Sequence, residues 1–207
     1  GQAIGLLNHL GLGAVSIVGH SMGALVGQEI ALDAPKRVRS IVSLNAVFRR
    51  PAALAQAVRE RAAELNGAKN PSGTDATIAR WFGNPVPDRL AEAARTTRAA
   101  LQSVNADGYA RTYRLFAHAD AAHGDRLSGL AVPALFMTGS QDKNSSPAMS
   151  AAMARLAPRG RCTVLEGERH MMAIASPDVV TRRIAEFLDS NDGASTSARP
   201  AMDTAFD

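Results

Sequence analysis

The apolar positions in the first quarter of the chain alternate between two spacings. Short β-branched runs are typical of buried strands, and longer runs with apolar residues three or four apart are typical of helices. The pattern predicts, in order, a helix at 2–10, a strand at 14–18, a helix at 22–34 and a strand at 38–44. Because a strand, a helix and a strand at this spacing form a βαβ unit, we expect a parallel sheet.

The middle of the chain, residues 48–125, carries helical patterns and no convincing strand pattern. One example is "PAALAQAVRERAAEL", which places an apolar stripe from Leu54 to Leu65 on one side of a helix. Strands and helices then alternate again, with strands at 132–139 and in "RCTVLEG" and helices at 147–156 and in "SPDVVTRRIAEFL". We therefore expect an α/β fold whose mostly parallel sheet is interrupted by a helical insertion.

These patterns divide the chain into four segments. Residues 1–47 and 126–191 are predicted to form the α/β core, with the helical block 48–125 between them. Residues 192–207 are small and polar, and we expect them to be disordered. The chain opens on Gly1 within a predicted helix, and no strand pattern precedes residue 14. We therefore expect it to begin inside a larger protein.

Composition and charge exclude several classes of function. The net charge is +4, but the basic residues are scattered and form no long block, so nucleic acid is not an expected partner. The single cysteine, Cys162, cannot form an internal disulfide. No apolar run approaches the roughly 20 residues of a membrane span, and no signal peptide is visible. We expect a cytoplasmic protein that has no membrane association.

The most informative motif is Gly19-His20-Ser21-Met22-Gly23, a G-x-S-x-G sequence. It follows a predicted strand and opens a predicted helix, which is the context of a nucleophile elbow. We expect Ser21 to adopt a strained conformation at a turn where small residues at both flanking positions allow the strand and helix to approach. The backbone amide of Met22 would then donate to an oxyanion.

A serine nucleophile needs a histidine base and an acid that orients the base, in the chain order serine, acid, histidine. Only His170 among the five histidines both follows the serine and lies just past a late predicted strand. Asp142 follows the strand 132–139 and is the candidate acid. Asp120 and Asp125 precede that strand and fit poorly.

Taken together, these segments resemble the α/β-hydrolase fold family with a serine nucleophile and a helical cap. The matching segments are "VGHSMGALVGQEIALDAPKRVRSIVSLN", "VPALFMTGSQDKNSSP" and "VLEGERHMMAIASPD". The resemblance implies a triad of Ser21, Asp142 and His170, a cap formed by residues 48–125, and an N-terminally truncated chain. The family's early strands are missing, and with them the loop that supplies the second oxyanion-hole donor.

The resemblance implies a serine hydrolase that cleaves an ester, thioester or lactone of a small apolar substrate through an acyl-enzyme. No metal or organic cofactor is expected, and the oligomeric state is left open. Two alternatives remain: hydrolysis of a carbon–carbon bond in ring-fission products, and small-ligand binding without turnover.

The substrate contacts are expected to come mainly from the cap. The candidates are aromatic side chains of the helical block and two methionines beside His170, and the alternative for each is core packing within the cap. They are Trp81, Phe82, Tyr109, Tyr113, Phe116, Met171 and Met172.

Overall fold

The computed structural model describes residues 1–65, 73–121 and 123–192. Nearly all of the predicted tail, from residue 193 onward, therefore lies outside the described residues. The α-helices are α1 (Gln2–His9), α2 (Met22–Asp33), α3 (Ala52–Glu64), α4 (Thr74–Phe82), α5 (Ala91–Ser103), α6 (Ala106–Ala117), α7 (Pro147–Leu156), α8 (Met172–Ala175) and α9 (Pro177–Asp192). The strands are β1 (Val15–His20), β2 (Val38–Leu44), β3 (Ala134–Gly139) and β4 (Gly160–Leu165).

The four strands form one sheet in the order β1-β2-β3-β4, and every neighbouring pair is parallel. The predicted parallel sheet is thus confirmed. The register places the carboxyl ends of the strands side by side, since His20 pairs with Leu44, and Gly139 pairs with Leu165. The loops that follow these strands consequently meet at one edge of the sheet, where ligands bind in open α/β sheets.

Helices cover both faces of the central strands. Ile41 and Phe136 point into a core formed with α2 and α7. Their chain neighbours Val42 and Leu135 point to the opposite face, into a core formed with α8 and α9. This alternation explains why β2 and β3 read as nearly continuous apolar runs, since both of their faces are buried.

The first strand is less buried than its apolar sequence suggested. Most residues of β1 are half-buried, and Val18 is 48% exposed. The reason is position: β1 is an edge strand of the described sheet, with β2 as its neighbour on one side. The strand also extends two residues beyond the predicted end, to His20, so that His20 lies on the strand itself.

Between β2 and β3 the described chain is helical, as the sequence predicted. Helices α3 and α6 pack together, and α4 packs against α5 around a small core of its own. We call α3 to α6 the helical insertion. It contacts the main fold near the carboxyl ends of the strands, so it stands over the edge where the loops converge. Within the described residues, no helix has the length and apolar character needed to cross a membrane.

Candidate active site

Four loops place polar side chains at the carboxyl edge of the sheet. Ser21 directly follows β1 and Asn45 directly follows β2, while Asp142 and His170 lie in the loops after β3 and β4. All four follow parallel strands that end side by side, which brings residues up to 149 positions apart in sequence into contact.

The turn that holds Ser21 has the strained backbone expected from its sequence. Its φ is 53° and its ψ is −115°, a backbone conformation that residues other than glycine rarely adopt. Gly19 is required here, because a Cβ atom on it would lie 2.3 Å from the carbonyl oxygen of Gly23. Gly23 itself differs from the expectation, since a Cβ atom there would meet open space. Close packing therefore explains one of the two glycines.

Ser21, His170 and Asp142 form a continuous hydrogen-bonded chain. The Nε2 atom of His170 lies 3.2 Å from Oγ of Ser21, and its Nδ1 atom lies 2.9 Å from Oδ2 of Asp142. His170 and Asp142 are each only 3% exposed. A buried carboxylate on Nδ1 favours the tautomer in which Nδ1 carries the proton and Nε2 can accept one.

The Asp142 carboxylate is held by several donors besides His170. Asn45 donates from Nδ2 to Oδ2 over 2.8 Å, and the backbone N–H groups of Asn144 and Ser145 donate to Oδ1. Burial alone raises the pKa of Asp142, but the hydrogen bond and charge of His170, together with these donors, outweigh burial and leave the pKa below its ordinary value. Asp142 is therefore kept ionised.

Asn45 is a polar residue of this site that the sequence patterns did not single out. It is fully buried and has a positive φ of 51°. Its backbone oxygen also accepts a 2.7 Å hydrogen bond from Oγ of Ser145, so it ties the β2 loop to the β3 loop. The available signal was an asparagine, a residue that tolerates left-handed backbone, at the end of an apolar strand.

The other carboxylates considered as the acid have different partners. Asp120 accepts from the buried guanidinium of Arg50 at 2.9 Å, and exposed Asp125 pairs with Arg49. Among the remaining histidines, His123 lies 3.0 Å from the Glu29 carboxylate. Within the described residues, neither Asp120 nor Asp125 contacts His170, whose carboxylate partner is Asp142.

His20 also belongs to the surroundings of His170. Its Nε2 atom lies 2.8 Å from the backbone oxygen of His170, and the two ring centroids are 5.0 Å apart. Burial, and then the nearby His170, lower the pKa of His20. A neutral His20 with its proton on Nε2 can donate to that backbone oxygen and fix the loop that carries His170.

A cavity of about 670 Å³ opens between this site and the helical insertion. Ser21, Met22 and His170 form its floor, and α3, α4 and α6 form its walls. Four of the aromatic residues expected to contact substrate line this cavity: Trp81, Tyr109, Tyr113 and Phe116. The backbone N–H of Met22 is the first of α2 and lies outside the intrahelical hydrogen-bond ladder, so it is available to a ligand.

The other three residues expected to contact substrate do not line this cavity. Phe82 is 2% exposed and packs against Ile78 in the core of α4 and α5. Met172 is fully buried beneath the sheet, in the core formed with α9. Met171 lines a smaller cavity of about 220 Å³ on the far side of Trp81. For Met171 and Met172, proximity to His170 in sequence did not place the side chains in this cavity, because the chain turns into α8 directly after His170.

Comparison with known proteins identifies the family to which this fold belongs. A family model described as alpha/beta hydrolase fold matches residues 2–177 of the chain. The chain belongs to the α/β-hydrolase family.

Two curated relatives, both from Acinetobacter baylyi, are hydrolases. The chain is 34% identical over 188 residues to an (E)-2-((N-methylformamido)methylene)succinate hydrolase. This alignment covers 91% of this chain and 70% of that protein. It is 29% identical over 141 residues to 3-oxoadipate enol-lactonase 2. That alignment covers 68% of this chain and 51% of the relative. The chain thus aligns with about half the length of the second relative.

Among solved structures, this α/β hydrolase is similar to the enol-lactonase of Burkholderia xenovorans LB400. The TM-score is 0.80 at 24% sequence identity, over 91% of this chain and 71% of that one. At this identity the likeness concerns the fold alone. In the described parts of the α/β hydrolase, no group of three or more histidine, cysteine, aspartate or glutamate side chains is arranged to hold a metal ion.

Proposed function

We propose that this α/β hydrolase cleaves an ester, thioester or lactone bond of a small molecule through an acyl-enzyme on Ser21. The observation that carries the proposal is the hydrogen-bonded chain from Ser21 through His170 to Asp142, with 3.2 Å and 2.9 Å separations, at the floor of a cavity. A serine hydroxyl becomes a nucleophile when an oriented base accepts its proton, and this arrangement supplies both the base and its orientation.

In the first half of the reaction, Oγ of Ser21 attacks the carbonyl carbon while Nε2 of His170 accepts the hydroxyl proton. The negative charge that develops on the carbonyl oxygen accepts a hydrogen bond from the Met22 N–H at the start of α2. His170 then donates its proton to the leaving oxygen or sulfur, the bond to the leaving group breaks, and the acyl group remains on Ser21.

In the second half, water attacks the acyl carbon and His170 accepts a proton from it. The bond to Ser21 then breaks and Oγ recovers its proton from His170, which releases the acid. Throughout, Asp142 stays ionised, holds the Nδ1 proton of His170 and stabilises the imidazolium that forms twice in each cycle.

The names of the curated relatives support hydrolysis of a small molecule, since one is a hydrolase of a substituted succinate and the other an enol-lactonase. The indole of Trp81 stacks on the imidazole of His170, 5.6 Å between ring centroids, so the insertion lines the cavity directly beside His170.

The proposal is tested with a fluorophosphonate probe and a substrate panel. We expect mass spectrometry to find the phosphonyl adduct on Ser21, and turnover of esters or lactones to be abolished in Ser21→Ala. The matched control is Ser16→Ala, because Ser16 contacts Ser40 on β2 and lies outside the cavity. An adduct confined to another serine, such as Ser145, would contradict the assignment.

The panel also separates the two alternative functions. Turnover of ring-fission products without ester or lactone turnover would identify a carbon–carbon hydrolase. Slow labelling of Ser21 with no turnover of any class would identify a small-ligand-binding protein.

A further inference from the structure

The walls of the catalytic cavity carry an uneven charge. Four cationic side chains line it: Arg50, Arg61, Arg80 and Lys143. No aspartate or glutamate is among the lining residues within the described ranges. The chain as a whole has nearly as many acidic as basic residues, 19 against 23, so this cavity is locally far more basic than the protein around it.

Two of the four cations are already engaged by carboxylates. The Arg50 side chain is 1% exposed and contacts Asp120 at 2.9 Å. It also lies over the Phe116 ring, 4.2 Å from the ring centroid, so its role is to hold the wall of the cavity together. Arg61 lies 3.3 Å from Glu64 one turn along α3. These contacts balance much of the charge of both groups.

Arg80 and Lys143 differ from that pair. Across residues 1–65, 73–121 and 123–192, no carboxylate lies within salt-bridge distance of either side chain. Within the part of the chain that the structure describes, the Arg80 guanidinium donates a single long hydrogen bond of 3.4 Å, to the hydroxyl of Thr77. A guanidinium offers five donors, so most of the Arg80 donors remain available to a ligand in the cavity.

Arg80 lines the same cavity as Ser21 and His170. It directly precedes Trp81 in α4, and Trp81 stacks on His170. On the other side, the positive charges of Arg80, Arg61 and Arg50 act on Tyr113: burial raises the pKa of Tyr113, and these guanidinium groups partly offset that rise. Arg80 and Tyr113 both belong to the insertion and line the cavity that Ser21 also lines.

We propose that the substrate carries a carboxylate which binds Arg80 while its scissile carbonyl lies against Ser21. This inference rests on the proposed function and specifies its substrate class. It replaces the small apolar substrate expected from sequence with a small anionic one, whose carbon chain packs on Trp81, Tyr109 and Tyr113. A planar guanidinium suits a carboxylate because it can donate two parallel hydrogen bonds. Lys143, on the loop that carries Asp142, adds a second positive charge that attracts the anion.

The test compares substrates that differ only in charge. Monomethyl succinate, glutarate and adipate each carry a free carboxylate at one end, and in the matched neutral series that carboxylate is a primary carboxamide. Methanol release gives kcat/KM for each pair. In parallel, the emission of Trp81, the only tryptophan of the chain, reports binding of each compound to Ser21→Ala protein without turnover.

We expect at least one anionic ester to exceed its neutral partner in kcat/KM. Arg80→Gln should lower that preference by about 10-fold to 100-fold, the effect of losing a hydrogen bond to a charged group. Arg80→Lys should retain part of the preference. Because Arg80 is exposed, neither variant should alter the melting temperature appreciably. The control is Arg111→Gln, which removes the same charge from an exposed position of α6 outside the cavity.

The two readouts distinguish failure of this inference from failure of the proposed function. The carboxylate inference is overturned if the neutral series is turned over and bound as well as the anionic series or better. It is also overturned if Arg80→Gln leaves the preference for the anionic series unchanged. Either result would hold even if Ser21 is the nucleophile. The opposite result is that the protein binds the anionic series preferentially, in a way that depends on Arg80, but releases no methanol. That result supports the carboxylate site and contradicts the proposal that the protein is an ester hydrolase.

Discussion

The indole of Trp81 stacks on the imidazole of His170, with ring centroids 5.6 Å apart and ring planes inclined by 30°. The first ring belongs to the helical insertion and the second to the loop after β4. The contact therefore joins the insertion to the main fold at the cavity that Ser21 also lines. Because Trp81 is the only tryptophan of the chain, its fluorescence reports on this contact.

We predict that the ring contact with His170 sets the emission of Trp81. His170→Asn removes the imidazole that stacks on the indole, so the emission intensity of the free protein at fixed pH should change. His118→Asn, which changes an exposed histidine at the end of α6, should leave the emission unaltered. Unaltered emission in His170→Asn would contradict the prediction.

Asp142→Asn is expected to lower kcat severely without unfolding the protein. The amide cannot hold the proton on Nδ1 of His170 as the carboxylate does, and the same loss costs roughly 10⁴-fold in kcat in a well-studied serine protease. Steady-state kinetics on the best substrate of the panel measures the effect. Asp125→Asn is the matched control, because the Asp125 side chain is 96% exposed. Near-normal activity of Asp142→Asn would exclude Asp142 as the acid.

Asp142 should also make stability depend on pH in the acid range. Its pKa is lower in the folded protein than its ordinary value of about 3.9, so its ionised form stabilises the fold above that pH. As the pH falls below about 4 and passes through the folded pKa, this contribution is lost. Melting temperatures from about pH 6 to 2.5 should therefore fall more steeply for wild type than for Asp142→Asn. The exposed-site control Asp189→Asn should follow wild type.

The two glycines of the elbow are expected to respond oppositely to alanine. In Gly19→Ala the new Cβ atom meets the Gly23 carbonyl oxygen at 2.3 Å, which should cost about 3 kcal/mol or more of stability. In Gly23→Ala the new atom meets open space near the start of α2, and the change should be neutral or stabilising by up to about 1 kcal/mol. Urea unfolding of the two variants measures the difference. Equal destabilisation would show that the elbow packs differently.

Removing the Asn45 side chain should destabilise the fold by about 1.5–3 kcal/mol, the usual contribution of a hydrogen bond to a charged group. Because Asn45 has a φ of 51°, Asn45→Gly should be more stable than Asn45→Ala by about 1 kcal/mol, although both lose the contact with Asp142. Urea unfolding again gives the measurement. An alanine variant as stable as the glycine variant would indicate that this backbone is not strained.

The local sequence determined the elements and the candidate reactive groups. Apolar runs of four to seven residues located the strands, and the glycine and proline positions located the turns, because backbone preferences act over a few residues. The G-x-S-x-G motif, with its strand and helix flanks, singled out Ser21. The chain order of acid and histidine, with their places after late strands, was enough to choose Asp142 and His170. The structure brings His170 within hydrogen-bond distance of both Asp142 and Ser21.

The tertiary structure decided which side chains share a space. Asn45 could not be recognised as a partner of Asp142 from sequence, because 97 residues separate them and only the parallel register brings their strand ends together. Phe82 directly follows Trp81 and Met171 directly follows His170, yet the direction of α4 and the turn into α8 place both side chains outside the cavity. The basic wall of the cavity also emerged only on folding, since its cations come from four separate segments and their excess exists only where those segments meet.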